Sequence, residues 1–106
     1  MHGLYFSADN MKVNLNQAFK DFKGNDILVG GKAALLSEEI GKTLYMYGVE
    51  SKASADEKYM AYKLCNRIMA SDIVELTLDE ASFIVRICGE RFSAGAYGQI
   101  RELLEG

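Results

Sequence analysis

Apolar and polar residues alternate over residues 11–15, where positions 11, 13 and 15 are apolar and lie on one side of the chain. A period of two predicts a short, half-buried strand. A second apolar run, residues 27–29, follows the turn-rich residues 23–26, and the two runs together predict a β-hairpin. Residues 17–22 could instead form a helical turn between them. Gly30-Gly31 is interpreted as a flexible hinge that closes this segment.

Four later segments carry apolar residues three and four positions apart, which is the spacing of an amphipathic helix. The pattern predicts helices over residues 32–47, 54–70 and 77–92, and a fourth helix from residue 96 to the C-terminus. Gly48 suits the position after the first helix, because glycine adopts a positive φ without steric cost. The side chains expected on the buried faces include Leu36, Ile40, Leu44, Ala61, Leu64, Cys65, Ile68, Ala81, Ile84, Val85, Cys88 and Ile100.

Two capping boxes mark the clearest helix starts. Ser54 with Glu57, and likewise Thr77 with Glu80, place a hydroxyl group three residues before a carboxylate. In this arrangement each side chain bonds the backbone N–H of the other residue. Residues 74–76, just before the second box, are predicted to form a short extended connector.

The predicted fold is mainly α, of the α+β type, with a small N-terminal β-hairpin packed on a compact bundle of about four short helices. A single domain is expected over residues 1–106, with a β element at 11–30 and a helical core at 32–106. Residues 1–10 are expected to be disordered or to be an extension that is not native. A chain of 106 residues can bury enough apolar surface to fold without disulfides or metal.

Composition and charge exclude some classes of function. Hydrophobic residues make up 49% and charged residues 25% of the sequence, which is too apolar for intrinsic disorder. The net charge of −3 comes from residues 54–106, which hold six basic and nine acidic residues. Nucleic-acid binding is therefore not expected, since it needs a face rich in lysine and arginine.

No apolar run reaches the roughly 18 residues needed to span a bilayer. The chain is expected to be cytoplasmic and not to associate with a membrane.

Candidate reactive groups are few. His2 is the only histidine, which leaves no partners for a catalytic triad or a histidine-containing zinc site. Cys65 and Cys88 lie among apolar residues, so both are expected to be reduced and buried, with a disulfide between them as the alternative. The Gly-Gly-Lys sequence at residues 30–32 lacks the spacing and the hydroxyl residue of a phosphate-binding loop. No catalytic residue, metal ligand or cofactor is predicted, and the chain is not expected to be an enzyme.

Four residues are candidates for binding a partner: Tyr45, Tyr59, Asp72 and Glu75. Each helix has further tyrosines two or three positions away, and one helix face cannot bury them all. Tyr45 and Tyr59 are therefore predicted to be partly exposed, as interface aromatic residues are. The alternative is that they fill the edges of a small core. Asp72 and Glu75 are not needed as helix caps, so they either contact a basic partner or serve solubility alone.

The second half of the chain combines Val74-Glu75-Leu76-Thr77 with Glu80, Ile84 and Phe92 and ends in Tyr97-Gly98-Gln99-Ile100 and Leu103-Leu104-Glu105, while Val13 and Leu15 lie near the start. Over residues 63–105 this pattern resembles a type of short protein found in phage and prophage genomes. The resemblance implies a mobile-element origin and a non-enzymatic role. The expected function is a protein-binding module that acts on a host or phage protein. The alternatives are a homo-oligomeric structural or assembly component of a phage particle, which would self-associate, and a small regulator.

Overall fold

The computed structural model describes residues 10–106, in which four short strands and four helices follow one another along the chain. The predicted α+β architecture, with four helices and a small N-terminal hairpin, is confirmed. The predictions made for residues 1–9 lie outside the described residues, and Asn10 already belongs to the first strand. The elements are β1 (Asn10–Asn14), β2 (Leu28–Val29), β3 (Lys32–Ala33), α1 (Leu36–Tyr45), α2 (Ala55–Ala70), β4 (Ile73–Thr77), α3 (Leu78–Cys88) and α4 (Ala94–Glu105).

β1 and β4 form an antiparallel two-stranded sheet, so the strand partner predicted for β1 is wrong. Val13 lies opposite Val74, and Met11 lies opposite Leu76. Both strands alternate between exposed and more buried residues, so the pair can turn one apolar face toward the helices. Residues 27–29 are all exposed and offer no such face. Burial therefore selects the distant residues 74–76, which form a paired strand and not the predicted connector.

The N-terminal hairpin is formed by β2 and β3, and not by the two apolar runs that were predicted to pair. Gly30 and Gly31 connect these strands with φ values of 61° and 82°. A positive φ at both central residues is characteristic of a type I′ turn. The predicted hinge is therefore a tight turn. Lys32 and Ala33 belong to β3, so the first helix begins at Leu36 and not at Lys32 as predicted.

Three backbone hydrogen bonds close a ring among the N-terminal loops. The Phe19 N–H donates to the Ala34 carbonyl at 2.8 Å, the Ala34 N–H to the Ile27 carbonyl at 2.9 Å, and the Ile27 N–H to the Phe19 carbonyl at 2.8 Å. Two of these bonds satisfy the N–H and the carbonyl of Phe19, whose side chain is buried. Residues 17–22 contain isolated β-bridges and no helical turn, so the alternative of a helical turn there is wrong.

Both predicted capping boxes are present. Ser54 Oγ accepts from the Glu57 N–H at 3.1 Å, and the Ser54 N–H donates to the Glu57 carboxylate at 3.2 Å. Thr77 and Glu80 make the equivalent bonds at 3.1 and 2.9 Å. A cap satisfies N–H groups that the first turn leaves without partners and stabilises a helix by about 1 kcal/mol. Local sequence therefore sets where α2 and α3 begin.

α3 ends earlier than the predicted residue 92. Its last residue is Cys88, and Gly89 forms its C-cap. The turn that follows brings Phe92 back toward the N-terminal loops, where its ring centroid lies 6.0 Å from that of Phe19. Phe92 therefore packs against the core without extending the helix. Gly48, after α1, has a φ of 96°, and its predicted positive φ is confirmed.

One continuous apolar core joins the β1–β4 sheet to all four helices. Cys65 and Cys88 lie in this core as free thiols, so the prediction that both are buried and unpaired is confirmed. None of the helices in residues 10–106 has both the length and the apolar character needed to cross a membrane. The largest fully buried side chains are Leu15, Ile40, Leu44, Leu64, Leu76, Ile84 and Ile100.

Gly31 and Gly98 both have open space around them, so an alanine at either position would test backbone conformation without a steric clash. A Cβ at Gly98, in α4, or at Gly31, in the hairpin turn, would meet nothing within 4 Å. Gly98→Ala should stabilise the protein by about 0.5–1 kcal/mol, because glycine loses more backbone entropy in a helix than alanine does. Gly31→Ala should destabilise it by about 1 kcal/mol, because a positive φ strains a residue that has a side chain. Urea unfolding measures both, and effects of the same sign would contradict the turn geometry.

Candidate functional site

α2 buries one side and exposes the other. Its buried residues, three and four positions apart, are Ala61, Leu64, Cys65 and Ile68. Exposed on its outer side are Asp56, Tyr59, Met60 and Lys63. We call these four residues the α2 surface. It combines an aromatic ring, a thioether and one charge of each sign on a single helix.

Two tyrosines stack on the outside of α2. The ring centroids of Tyr59 and Tyr62 are 6.4 Å apart with 17° between the ring planes, and the two residues remain 61% and 50% exposed. Lys63 Nζ lies 5.2 Å from the centre of the Tyr59 ring, within the range of a cation–π contact. These contacts restrain the Tyr59 ring although the ring is exposed.

An ion pair joins α2 to the start of α3. Arg67 Nη1 donates to the Glu80 carboxylate at 2.7 Å and to the backbone carbonyl of Glu75 at 3.2 Å. The same Glu80 oxygen accepts from the Thr77 N–H in the capping box. One carboxylate therefore couples a side chain of α2, the end of β4 and the first turn of α3.

Hydrogen bonds and charge lower the pKa of two glutamates. Burial raises the pKa of Glu80, but the hydrogen bonds from Arg67 and from its own capping box, with the charge of Arg67, outweigh burial and bring it below the ordinary 4.5. The pKa of Glu57 is also lowered, first by the hydrogen bond from the Ser54 N–H and then, against some burial, by the charge of Arg86. Arg86 Nη2 donates to the Glu57 carboxylate at 3.1 Å. Both carboxylates are therefore ionised at neutral pH.

The structure brings two of the four predicted partner-binding residues to neighbouring grooves. Tyr59 lines a groove along α2, and Glu75 lines a second groove beside β4. Arg67 and Glu80 line both grooves, so the ion pair forms the boundary that they share. Tyr59 and Glu75 therefore belong to one continuous stretch of the protein surface.

Tyr45 and Asp72 line neither of these two grooves. Tyr45 is the last residue of α1 and is exposed, as predicted. Asp72 lies between α2 and β4, where it accepts a hydrogen bond from Asn16 Nδ2 at 3.1 Å. Glu75 accepts a similar bond from Asn10 Nδ2 at 3.2 Å. The two carboxylates thus help to hold the N-terminal segment, a role that the sequence did not predict for them.

Two features of the surface are not evident from the sequence. Arg67 pairs with a glutamate 13 positions away, and no local pattern indicates such a contact. Three apolar residues near the hairpin, Phe22, Leu28 and Val29, are exposed, and the exposure of Phe22 reaches 95%. The sequence indicates the exposure of Phe22 only by placing this aromatic residue next to the turn-rich residues 23–26.

Potential metal-binding side chains are dispersed in the described part of the chain, and both of its thiols are buried. Among residues 10–106, no three histidine, cysteine, aspartate or glutamate side chains come together so as to hold a metal ion. Burial raises the pKa of Cys88 to about 12 and also raises the pKa of Cys65. Both thiols are therefore protonated at neutral pH, which is their unreactive form.

Comparisons with protein-family models, with curated proteins and with solved structures found no match for this chain. The α2 surface and the two grooves beside it are therefore the features from which a function is inferred.

Glu80→Gln tests the contribution of the Arg67–Glu80 ion pair. At neutral pH the variant should be less stable than the wild type by about 1–2 kcal/mol, because a neutral amide accepts weaker hydrogen bonds and leaves Arg67 without an opposite charge. A folded pKa below the ordinary 4.5 means that the stabilisation is complete above that value and is lost as the pH falls through the folded pKa.

The difference in unfolding free energy between the wild type and Glu80→Gln should therefore shrink between neutral pH and about pH 3. Urea unfolding at a series of pH values measures it. Glu102→Gln, at an exposed carboxylate of α4, is the control and should change the free energy of unfolding little. A difference for Glu80→Gln that stays constant over this range would contradict the ionic role of Glu80.

Proposed function

We propose that this chain is a non-enzymatic protein-binding module that contacts its partner through the α2 surface and the adjoining Tyr62. The observation that carries the proposal is the exposure of Tyr59, Met60 and Tyr62 together on one helix. Tyrosine and methionine are enriched where proteins meet, relative to the rest of the protein surface. Methionine also adapts its shape to a partner because its side chain is unbranched and flexible.

Burial of these side chains would supply the binding energy. Complete burial of one large apolar side chain is worth roughly 1.5–3 kcal/mol. α2 packs on the core through its buried residues, and the capping box at Ser54 stabilises its first turn, so the helix needs no ordering when it binds. A stacked tyrosine on a rigid helix is the kind of anchor that dominates many interfaces.

Charged groups border this apolar centre. Asp56 and Lys63 lie on the α2 surface itself, and the Arg67–Glu80 pair lies beside it. Interfaces commonly place polar and charged residues at the rim around an apolar centre. Glu75, in the neighbouring groove, extends the rim with an acidic group that suits a basic side chain on the partner.

A structural or assembly role is the second candidate. Charges of both signs beside an apolar centre suit a second copy of the chain as well as a different protein. The resemblance to short phage and prophage proteins supports a host or phage protein as partner for the first role and a phage particle for the second. We propose a cytoplasmic site of action for both roles, and the genes that neighbour this one would distinguish between them.

Replacing Tyr59 with the photoreactive amino acid p-benzoylphenylalanine tests the α2 surface in living cells. Irradiation should produce a discrete cross-linked species, because this side chain would lie inside the contact. Phe22, the exposed aromatic residue of the N-terminal loop, is the matched control, and the same replacement there should produce no such species. Denaturing electrophoresis followed by mass spectrometry identifies the adduct.

Tyr59→Ala in a chain that carries the photoreactive residue at position 62 completes this test. The adduct yield should fall about tenfold, as expected for the loss of an interface anchor. The free energy of unfolding should change by less than about 0.5 kcal/mol, because Tyr59 is an exposed residue. Cross-linking at position 22 but not at position 59 would locate the binding surface elsewhere. An adduct yield that Tyr59→Ala does not lower would do the same.

A further inference from the structure

We propose that the α2 surface is complementary to itself and that its partner is a second copy of this chain, docked with the two α2 helices antiparallel. This inference rests on the proposed function, because it names the occupant of the same surface. It follows from the order of charges along α2 and from the side of the helix on which they lie.

The four residues of the α2 surface lie on one side of the helix. Asp56 and Lys63 are two full turns apart, and Tyr59 and Met60 lie between them. A two-fold axis that passes between Tyr59 and Met60 reverses this order in the second copy. Asp56 then faces Lys63 of the second copy, and Tyr59 faces Met60 of the second copy.

Charge complementarity favours this arrangement. Asp56 and Lys63 are exposed, and neither takes part in the ion pairs formed among residues 10–106. Two antiparallel copies form two Asp56–Lys63 pairs, one on each side of the axis. A parallel arrangement would place Asp56 against Asp56 and Lys63 against Lys63, and like charges in contact oppose association.

Three other charged residues of α2 lie toward other parts of the chain. Glu57 pairs with Arg86 at 3.1 Å, and Arg67 pairs with Glu80 at 2.7 Å. The Lys58 side chain passes close to Gly48, on the side toward the end of α1. Asp56 and Lys63 are therefore the charges that face outward beside the tyrosine and the methionine.

The centre of the proposed contact is apolar, and the contact is small. Tyr59 and Met60 are 61% and 42% exposed in the single chain, so both have surface to bury. The 16 residues of α2 span about 24 Å. One helix pair of this length buries an area typical of transient complexes. We therefore expect a weak dimer whose population rises with concentration between micromolar and millimolar.

Sedimentation velocity of the full chain over this range tests the proposal, and the wild type should shift from monomer toward dimer. Asp56→Lys places two lysines opposite Lys63 residues, and Lys63→Asp places two aspartates opposite Asp56 residues. Each variant alone should bind itself about tenfold more weakly, or weaker still. An equimolar mixture of the two restores both opposite-charge pairs and should form a heterodimer with wild-type affinity. The double variant Asp56→Lys with Lys63→Asp should self-associate as the wild type does.

Glu102→Lys is the matched control, because it changes the net charge as Asp56→Lys does but at an exposed site on α4. It should leave dimerisation unchanged. Asp56→Lys removes an acidic residue from the first turn of α2, so circular dichroism should be used to verify its helix content. Rescue in the mixture and in the double variant separates lost charge pairing from lost folding.

If the wild type stays monomeric at millimolar concentration, the occupant of the α2 surface is not a second copy of the chain. The proposal would also be wrong if the single variants dimerise like the wild type. If the wild type is monomeric while the photoreactive residue at Tyr59 captures a different protein, the proposed function stands and only its occupant is wrong. If neither a dimer nor an adduct forms, both proposals fail.

Discussion

The antiparallel pairing of β1 with β4 is the constraint on which the rest of the structure depends. It places Asn10 next to Glu75, 65 positions further along the chain. β4 continues directly into α3, so fixing β4 against β1 also fixes the position in space of the start of α3. With β4 in this position, Arg67 reaches both the Glu75 carbonyl and the Glu80 carboxylate. These hydrogen bonds join α2 to the end of β4 and to the first turn of α3.

The Arg67–Glu80 pair also protects the edge of the small sheet. Arg67 bonds the backbone carbonyl of Glu75, and Glu80 accepts from the Thr77 N–H. A further strand added to β4 would compete for these backbone groups, and an edge whose groups are already bonded resists such addition. The helix surface is then the better place for a specific contact. The grooves on either side of this ion pair, with Tyr59 in one and Glu75 in the other, are separated by it and share its charges.

Features that depend on neighbours a few residues apart were predictable. The Ser54 and Thr77 capping boxes were found because hydroxyl and carboxylate stand three residues apart in the sequence. The exposure of Tyr59 followed from the helical period of α2. A small hairpin was expected, but its turn was misplaced at residues 23–26, and Gly30-Gly31, which forms the turn, was interpreted as a hinge. Its strands were misassigned because apolar character alone does not tell a buried run from the exposed residues 28–29.

The sequence by itself determined where α2 and α3 begin, which helix faces are buried and that the two cysteines lie in the core. Hydrogen bonds and side-chain contacts between residues three or four apart decide these features, and they need no distant segment. Only the tertiary structure decided the partner of β1, the ion pair of Arg67 and the placement of Tyr59 and Glu75 in neighbouring grooves. Contacts between distant segments must offset the entropy of closing long loops. The chain therefore selects them by the burial of the whole core, which no local pattern records.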